Sequence, residues 1–382
     1  MTAEHFDVVI VGAGPSGSTC ALALGHSGLK VALLDKSTFP RDKTCGDALA
    51  AYIPKVLRTI RPEYAEAFLK LPEKEPITVM RVIAPNGSML ESKSVEAGYI
   101  QKRVDFDNFL LGLVAKLPNV RIFNGTEVTE VKVTEDRVLI QTSGEKAFSA
   151  SLVIGCDGAQ GIVTRQLSSV KVDREHYCGA VRAYFENVKD IPPSTLEIHL
   201  FKKTLPGYLW IFPLPNNQAN VGLGLHSQML SNSKLNLRKE LQRLLQEEPR
   251  LRDRFGEARM LGDIQGYGLP LGSRKVTVSG DRFMLCGDAA SLIDPISGEG
   301  IGQAMISGRY AGWQALKCFE TGNFSASFTK QYDQMLYDKL WKTHHRHHLL
   351  RRIAGNRTWL VNGVFRLASN TKWLKTLLQK MM

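Results

Sequence analysis

Residues Gly12-Ala13-Gly14-Pro15-Ser16-Gly17 have the types and spacing to hold a pyrophosphate. They follow an apolar run, Phe6-Asp7-Val8-Val9-Ile10-Val11, and precede an Ala/Leu-rich stretch that ends at Gly28. The glycines make the turn and let a phosphate approach the backbone. The helix behind them aims its N-terminal N–H groups and positive dipole end at the anion. A second apolar strand, Val31-Ala32-Leu33-Leu34, ends in Asp35 and Lys36, 18 residues past Gly17. A carboxylate there can accept from a ribose hydroxyl. An acid suits an unphosphorylated ribose, so the site is expected to take FAD or NAD, not NADP.

Two later motifs join it. Gly155-Cys156-Asp157-Gly158-Ala159 follows a short apolar strand and by itself reads as a turn. Cys286-Gly287-Asp288-Ala289-Ala290 follows another strand, and Asp294-Pro295-Ile296-Ser297-Gly298-Glu299-Gly300-Ile301-Gly302 then opens a helix. This second glycine-rich helix start offers backbone donors and a positive dipole end that would stabilise an electron-rich reduced flavin. In order and spacing the three motifs resemble the flavoprotein superfamily with the p-hydroxybenzoate-hydroxylase-like fold. Gln101-x-Arg103 looks like a further cofactor-contacting position of that superfamily. The resemblance runs to about residue 340 and implies FAD. The implied contacts are Gly12, Gly14, Pro15, Ser16, Gly17, Asp35, Lys36, Arg41, Cys45, Gly46, Arg103, Asp157, Gly158, Gly287, Asp288, Pro295, Gly298, Gly300 and Ile301.

Within the superfamily the chain resembles the geranylgeranyl reductases. Phe39-Pro40-Arg41-Asp42-Lys43-Thr44-Cys45-Gly46-Asp47 is similar to their FPR-x-K-x-CG loop. Tyr208-Leu209-Trp210-Ile211-Phe212-Pro213, with Gly222-Leu223-Gly224 eight residues on, is similar to their YxWxFPx8GxG motif. In that family the aromatics are associated with the substrate cavity, which implies Tyr208, Trp210, Phe212 and Gly222 as substrate contacts. One departure stands out: members acting on chlorophyll precursors and archaeal lipids often show Cys-Gly-Gly, and here Asp47 follows Gly46.

The resemblance implies saturation of C=C bonds in a polyprenyl lipid or prenylated quinone by reduced flavin. An isolated alkene accepts hydride poorly until it is protonated. The reaction therefore needs an acid opposite the flavin and a cavity without bulk water. Cys45 is the catalytic acid that the resemblance offers, and nearby Arg41 and Lys43 would lower its pKa toward neutrality. Otherwise Cys45 is a small buried residue. Tyr208, Trp210 and Phe212 alternate along a strand and share one face, either a cavity wall or inter-sheet core. With no second GxGxxG, the electron donor is left open between NAD(P)H bound transiently, a ferredoxin or another reductant.

These residues need scaffolding of some size. At 382 residues, the chain can bury a large core. The expected class is α/β (α+β overall). A Rossmann-like FAD-binding domain spans 1–75, 101–170 and 281–340; a substrate-binding β-sheet domain spans 76–100 and 171–280; a basic helical segment covers 341–382. Within these, one helix is expected over 53–70, a hairpin around Pro85-Asn86-Gly87, one helix over 234–254 and another over 302–320. Six cysteines without CxxC spacing indicate neither zinc nor disulfides and fit a reducing cytoplasm. No signal peptide or transmembrane helix is expected.

Net charge is +12, and ten Lys/Arg with no Asp/Glu fall between Lys339 and Met382. Trp341, Trp359, Trp373, Leu349-Leu350, Leu360-Val361, Val364-Phe365 and Leu377-Leu378 are interspersed. The segment reads as peripheral contact with the inner face of a membrane, or as a basic cap on the first domain. Nucleic acid has no motif to bind it. His344-His345-Arg346-His347-His348 is expected to be a pH-responsive basic surface, not a metal site. Oligomeric state is not legible. Two rival functions share the fold: a flavin-dependent monooxygenase, hydroxylase or halogenase, and a membrane-associated flavin-binding protein without turnover. The halogenase WxWxIP pattern is not met, since Tyr208 and Phe212 stand at two of its positions.

Overall fold

The Glu4–Val11 strand sits in the middle of the first sheet, and its second half, Val8 to Val11, is buried on both faces, which is why it reads there as continuous Val and Ile. It pairs in parallel with Val31–Leu34 on one side and Ala147–Gly155 on the other. Val120–Phe123 and Phe283–Leu285 extend the parallel set outward. A hairpin of Val128–Val133 and Val138–Thr142 joins antiparallel to Ala147–Gly155. The Pro15–Leu24 and Ile301–Thr321 helices pack on one another over this sheet. The contact is close because Gly308 and Gly312 bring the second helix onto Ser16, Cys20 and Ala23. The computed structural model describes residues 3–371; Trp373 and Leu377-Leu378 lie outside them.

The second sheet has eight strands, in the order 259–270, 177–186, 218–226, 208–214, 195–199, 75–83, 89–100 and 48–49. All neighbours are antiparallel except Thr195–His199 with Glu75–Ile83. Its inner face carries Trp210, Phe212, Ala180 and Ile77. The outer face packs Val181, Leu209, Ile211 and Leu223 against Leu241, Leu244 and Leu251. The Ala48–Leu49 strand belongs to this sheet, so the Cys45 loop runs directly from the first sheet's ligand side into the second. The long Ala326–Ala354 helix returns along the first sheet and ends against both, and Thr358–Asn370 follows it.

Three helical expectations change in detail. The run over 53–70 is two helices, Ile53–Arg58 and Pro62–Lys70, because Pro62 cannot donate inside a helix but fits a first turn. Pro249 divides 234–254 in the same way, giving Leu237–Glu247 and Pro249–Phe255. The histidine run is a surface only at His345 and Arg346, which are exposed: His344 and His348 are 3 % and 7 % exposed, one turn apart on the buried face of the long helix.

Candidate active site

The two sheets face each other across one cavity of about 2160 Å³, well beyond the ~300–1,000 Å³ of most small-molecule sites. It has room for a dinucleotide and a long substrate together.

On the first sheet's side, two helix N-termini open into it. Gly14 caps Pro15–Leu24 and Gly300 caps Ile301–Thr321, neither with a side-chain hydrogen bond, so their first N–H groups are available to a ligand. Gly12 has φ +101°, and a Cβ on it would stand 2.3 Å from the Cys156 carbonyl oxygen. A Cβ on Gly17 would stand 1.8 Å from Gly12 O. A Cβ on Gly14 would meet only the Arg41 guanidinium, at 3.6 Å, and that space suits a phosphate. Asp35 is fixed by the Ala13 and Ser37 N–H groups, 2.8 Å each, with lone pairs left for a ribose. These are the features that FAD requires, and the residues fit it.

Of the expected cofactor contacts, Gly12, Gly14, Pro15, Ser16, Asp35, Lys36, Arg41, Cys45, Gly46, Arg103, Asp157, Gly158, Asp288, Pro295, Gly298, Gly300 and Ile301 all line the cavity. Gly17 and Gly287 lie behind it, where they allow close backbone packing. Asp157 also anchors the Ile162–Leu167 helix through the Val163 N–H, and burial pushes its carboxyl up to about 6. Asp288 pairs with Lys43 at 3.1 Å, and the Lys43 ammonium lies 4.7 Å over the Tyr267 ring.

On the second sheet's side, Tyr208, Trp210 and Phe212 line the cavity and lie edge-to-face or tilted against one another. Gly222 does not reach it. The Trp210 ring lies on Gly222, where a Cβ would be 2.1 Å from Cζ2, so this glycine makes room for the indole and does not touch substrate.

Cys45 sits in the cavity wall between the two sides. Its thiol is not brought toward neutrality as the sequence suggested. Burial pushes it above its ordinary value; Arg103 is the main opposing charge, Lys43 only a minor one. Arg41 is engaged elsewhere, donating to Asp107 at 2.9 Å and lying over the Phe39 ring. Arg103, 3 % exposed, forms a bidentate pair with Asp107 at 2.7 and 2.6 Å, and its charge acts on the Cys45 thiol.

Two acids that sequence reasoning gave no role stand beside this centre. Asp47 is fully buried in a left-handed conformation, φ +63°, where glycine is favoured. One carboxylate oxygen accepts from Tyr184 at 2.7 Å and Asn220 at 2.8 Å; Oδ1 has no partner. Asn220 also donates to the Cys45 carbonyl and accepts from the Trp210 indole. Asp47 thus ties the thiol loop to the aromatic strand. The signal was the departure from Cys-Gly-Gly. The second acid, Glu299, lies between Gly298 and Gly300, accepts from the Tyr52 hydroxyl, and is pushed up to about 7 by burial.

Desolvation raises Asp47 from its ordinary 3.8 to about 6. Its folded form therefore holds the proton more tightly, and the protein loses stability as pH rises from about 4 to about 6. Asp47→Asn keeps an acceptor for Tyr184 and tolerates the left-handed backbone. It is expected to be more stable than the wild type above pH 6 by up to ~3 kcal/mol, with the gain vanishing near pH 4. Thermal melts at pH 8 and pH 4 check this.

A family model described as "FAD binding domain" matches residues 5–344. The digeranylgeranylglycerophospholipid reductase 1 of Methanopyrus kandleri is 31% identical over 336 residues, covering 86% of this chain and 85% of that protein. The chain belongs to the FAD-binding geranylgeranyl reductases. A second relative, the digeranylgeranylglycerophospholipid reductase of Thermoplasma acidophilum, is 29% identical over 363 residues, 89% of this chain and 85% of that one. The crystal structure of a geranylgeranyl bacteriochlorophyll reductase-like protein from the same organism superposes with TM-score 0.85 at 24% identity over 96% of this chain and 91% of that one. A single-substitution mutant of the halogenase PltM in complex with FAD superposes at TM-score 0.77 with 16% identity, over 98% and 86% of the two chains, and shares the fold. This reductase is an FAD-dependent oxidoreductase. No helix among its described residues is long and apolar enough to cross a membrane.

Proposed function

We propose that this reductase saturates C=C bonds in the chain of a polyprenyl lipid or prenylated quinone. The observation that carries this reading is the shared cavity. An aromatic and aliphatic floor (Trp210, Phe212, Ile77, Ile198, Met80) faces the Cys45 loop beside two open helix N-termini. Reduced FAD, when bound, supplies a hydride.

The rest of the chemistry belongs to the chain. The apolar floor binds flat isoprene units and keeps water off the reacting carbons. Cys45 carries the proton that one alkene carbon must gain, so each double bond takes up one proton and one hydride. A thiol held above its usual pKa by burial stays protonated at neutral pH, which a donor requires. Arg103 then steadies the thiolate left behind. Asn220 fixes the loop backbone and, through Trp210, the floor.

The substrate's solubility implies a membrane, and the C-terminal helices present a surface for one. Leu349, Ile353, Trp359 and Leu367 are 42%, 54%, 73% and 61% exposed. Exposed Arg346, Arg352, Arg357 and Arg366 surround them. The inner side of the same helices, including Leu360, Val364 and Phe365, lines the cavity. A lipid leaving the bilayer here would meet an apolar path. Each basic residue near an anionic surface contributes roughly 1 kcal/mol. Arg352→Gln with Arg357→Gln is therefore expected to weaken binding to anionic vesicles about thirtyfold, and Trp359→Ser to weaken it independently of salt. Sedimentation with vesicles checks both; unchanged binding in all variants would remove the membrane contact.

The test of the reaction is anaerobic. The FAD-loaded protein is reduced with dithionite, and geranylgeranyl diphosphate or a prenylated quinone is added. Flavin reoxidation with a product two mass units heavier per bond is the expected result. Reoxidation only on admitting oxygen would overturn the reading in favour of an oxygen-dependent enzyme on this fold.

A further inference from the structure

The end of the cavity away from Cys45 carries groups that alkene reduction does not use. There the last turns of the Ala326–Ala354 helix meet the start of the Tyr177–Glu186 strand. Arg351 lines the cavity, is 8% exposed, and has an Nη1 without a hydrogen-bond partner. Its Nη2 reaches the Glu175 carbonyl at 3.4 Å and His348 Nδ1 at 3.3 Å. His344 and His347 line the same end, and the Nε2 of each also lacks a partner. His226 closes the group, with Nε2 2.7 Å from the Glu175 carbonyl oxygen.

The nearby acids are committed. Asp294 is bonded to His347 Nδ1 at 2.7 Å, Asp173 pairs with Arg274 at 3.0 Å, and the Glu175 side chain is exposed. Burial and the neighbouring cations hold His348 down to about 4 and lower His344 and His226. A buried guanidinium with a free donor and protonable imidazoles around it is costly unless an anion completes it. A guanidinium fork matches phosphate oxygens in number and plane.

We propose that this end of the cavity binds the phosphate or diphosphate head of the prenyl substrate, with Arg351 as its principal donor and the tail running over Trp210 to Cys45. This rests on the reductase reading for the tail but not for the anion. The tail's wall is the aromatic strand, with Tyr208, Trp210 and Phe212 lining the same cavity as Arg351.

Two measurements on the FAD-loaded protein test it. Inorganic pyrophosphate, titrated calorimetrically, is expected to bind the wild type at least about tenfold more tightly than Arg351→Gln, with Arg351→Lys between them. In anaerobic reoxidation, KM for geranylgeranyl diphosphate is expected to lie at least about tenfold below that for geranylgeraniol, and Arg351→Gln should bring the ratio toward one. Unchanged flavin absorbance and melting temperature confirm that the variants fold. Equal pyrophosphate binding by wild type and Arg351→Gln would overturn the site. Arg351-dependent pyrophosphate binding with equal KM values would show a site for free anion and overturn its role with the lipid head. If neither prenyl compound is reduced while pyrophosphate still binds through Arg351, the anion site stands and the reductase reading fails.

Discussion

Cys45→Ala is expected to lower the rate of prenyl reduction by ~10²–10⁴-fold, while the protein keeps its yellow FAD spectrum. The thiol lines the cavity next to Gly46, which packs on Phe212 and Trp210, and the backbone around it is held independently of the side chain. The Cys45 carbonyl accepts from Asn220 at 2.8 Å, and the Asp47 carbonyl accepts from the Gln101 N–H at 3.0 Å. Removing the Sγ therefore removes the proton without collapsing the loop. Cys45→Ser preserves the size but offers a far weaker acid, and it should be nearly as slow. Anaerobic single-turnover reoxidation of the reduced flavin, with the product weighed by mass spectrometry, reads the effect directly. A fully active serine variant would sink the role of Cys45. The wild-type rate should fall as pH rises through the raised thiol pKa, since only the protonated form can donate.

The second large effect concerns stability. Asp107→Asn is expected to cost ~3–5 kcal/mol in the free energy of unfolding, read by denaturant titration. Asp107 is fully buried and neutralises two guanidiniums at once, Arg103 at 2.6–2.7 Å and Arg41 at 2.9 Å. Taking away its charge leaves Arg103 almost without water or counter-ion. The Glu186–Arg259 pair is the control. It is short, at 2.6 Å, but Arg259 is 71 % exposed, so Glu186→Gln should change stability by no more than ~1 kcal/mol. A comparable loss in both variants would mean that burial does not set the difference. Because Arg103 is the main charge opposing burial at the Cys45 thiol, Asp107→Asn should move the pH dependence of the reaction as well as stability.

The nucleotide half was legible because its chemistry is local in sequence. Gly12, Gly14 and Gly17 are dictated by backbone approach within a few residues, and Asp35 by the end of the next strand. The central Asp157-Gly158 and later Gly287-Asp288 were legible only as members of an ordered set. The strand Arg259–Pro270 was not seen, since five glycine and charged positions within it break the alternation that marks a strand. Pro62 and Pro249 were visible in the sequence, and their capacity to restart a helix was what the longer apolar periodicity concealed.

By itself the sequence determined that a dinucleotide sits on the first βαβ unit, that Tyr208, Trp210 and Phe212 share one face, and that a cysteine lies in a charged loop nearby. Only the tertiary structure decided what those charges do. Arg41 is drawn off to Asp107, Arg103 arrives from a helix 58 residues on to meet the thiol, and Gly222 disappears beneath the Trp210 ring. It likewise turned His344 and His347, from a run that reads as surface, into the wall of a cavity. The physical reason is the same in each case. Spacing along a chain fixes which side chains share a turn or a face, whereas burial and counter-charge depend on what other segments bring up against that face.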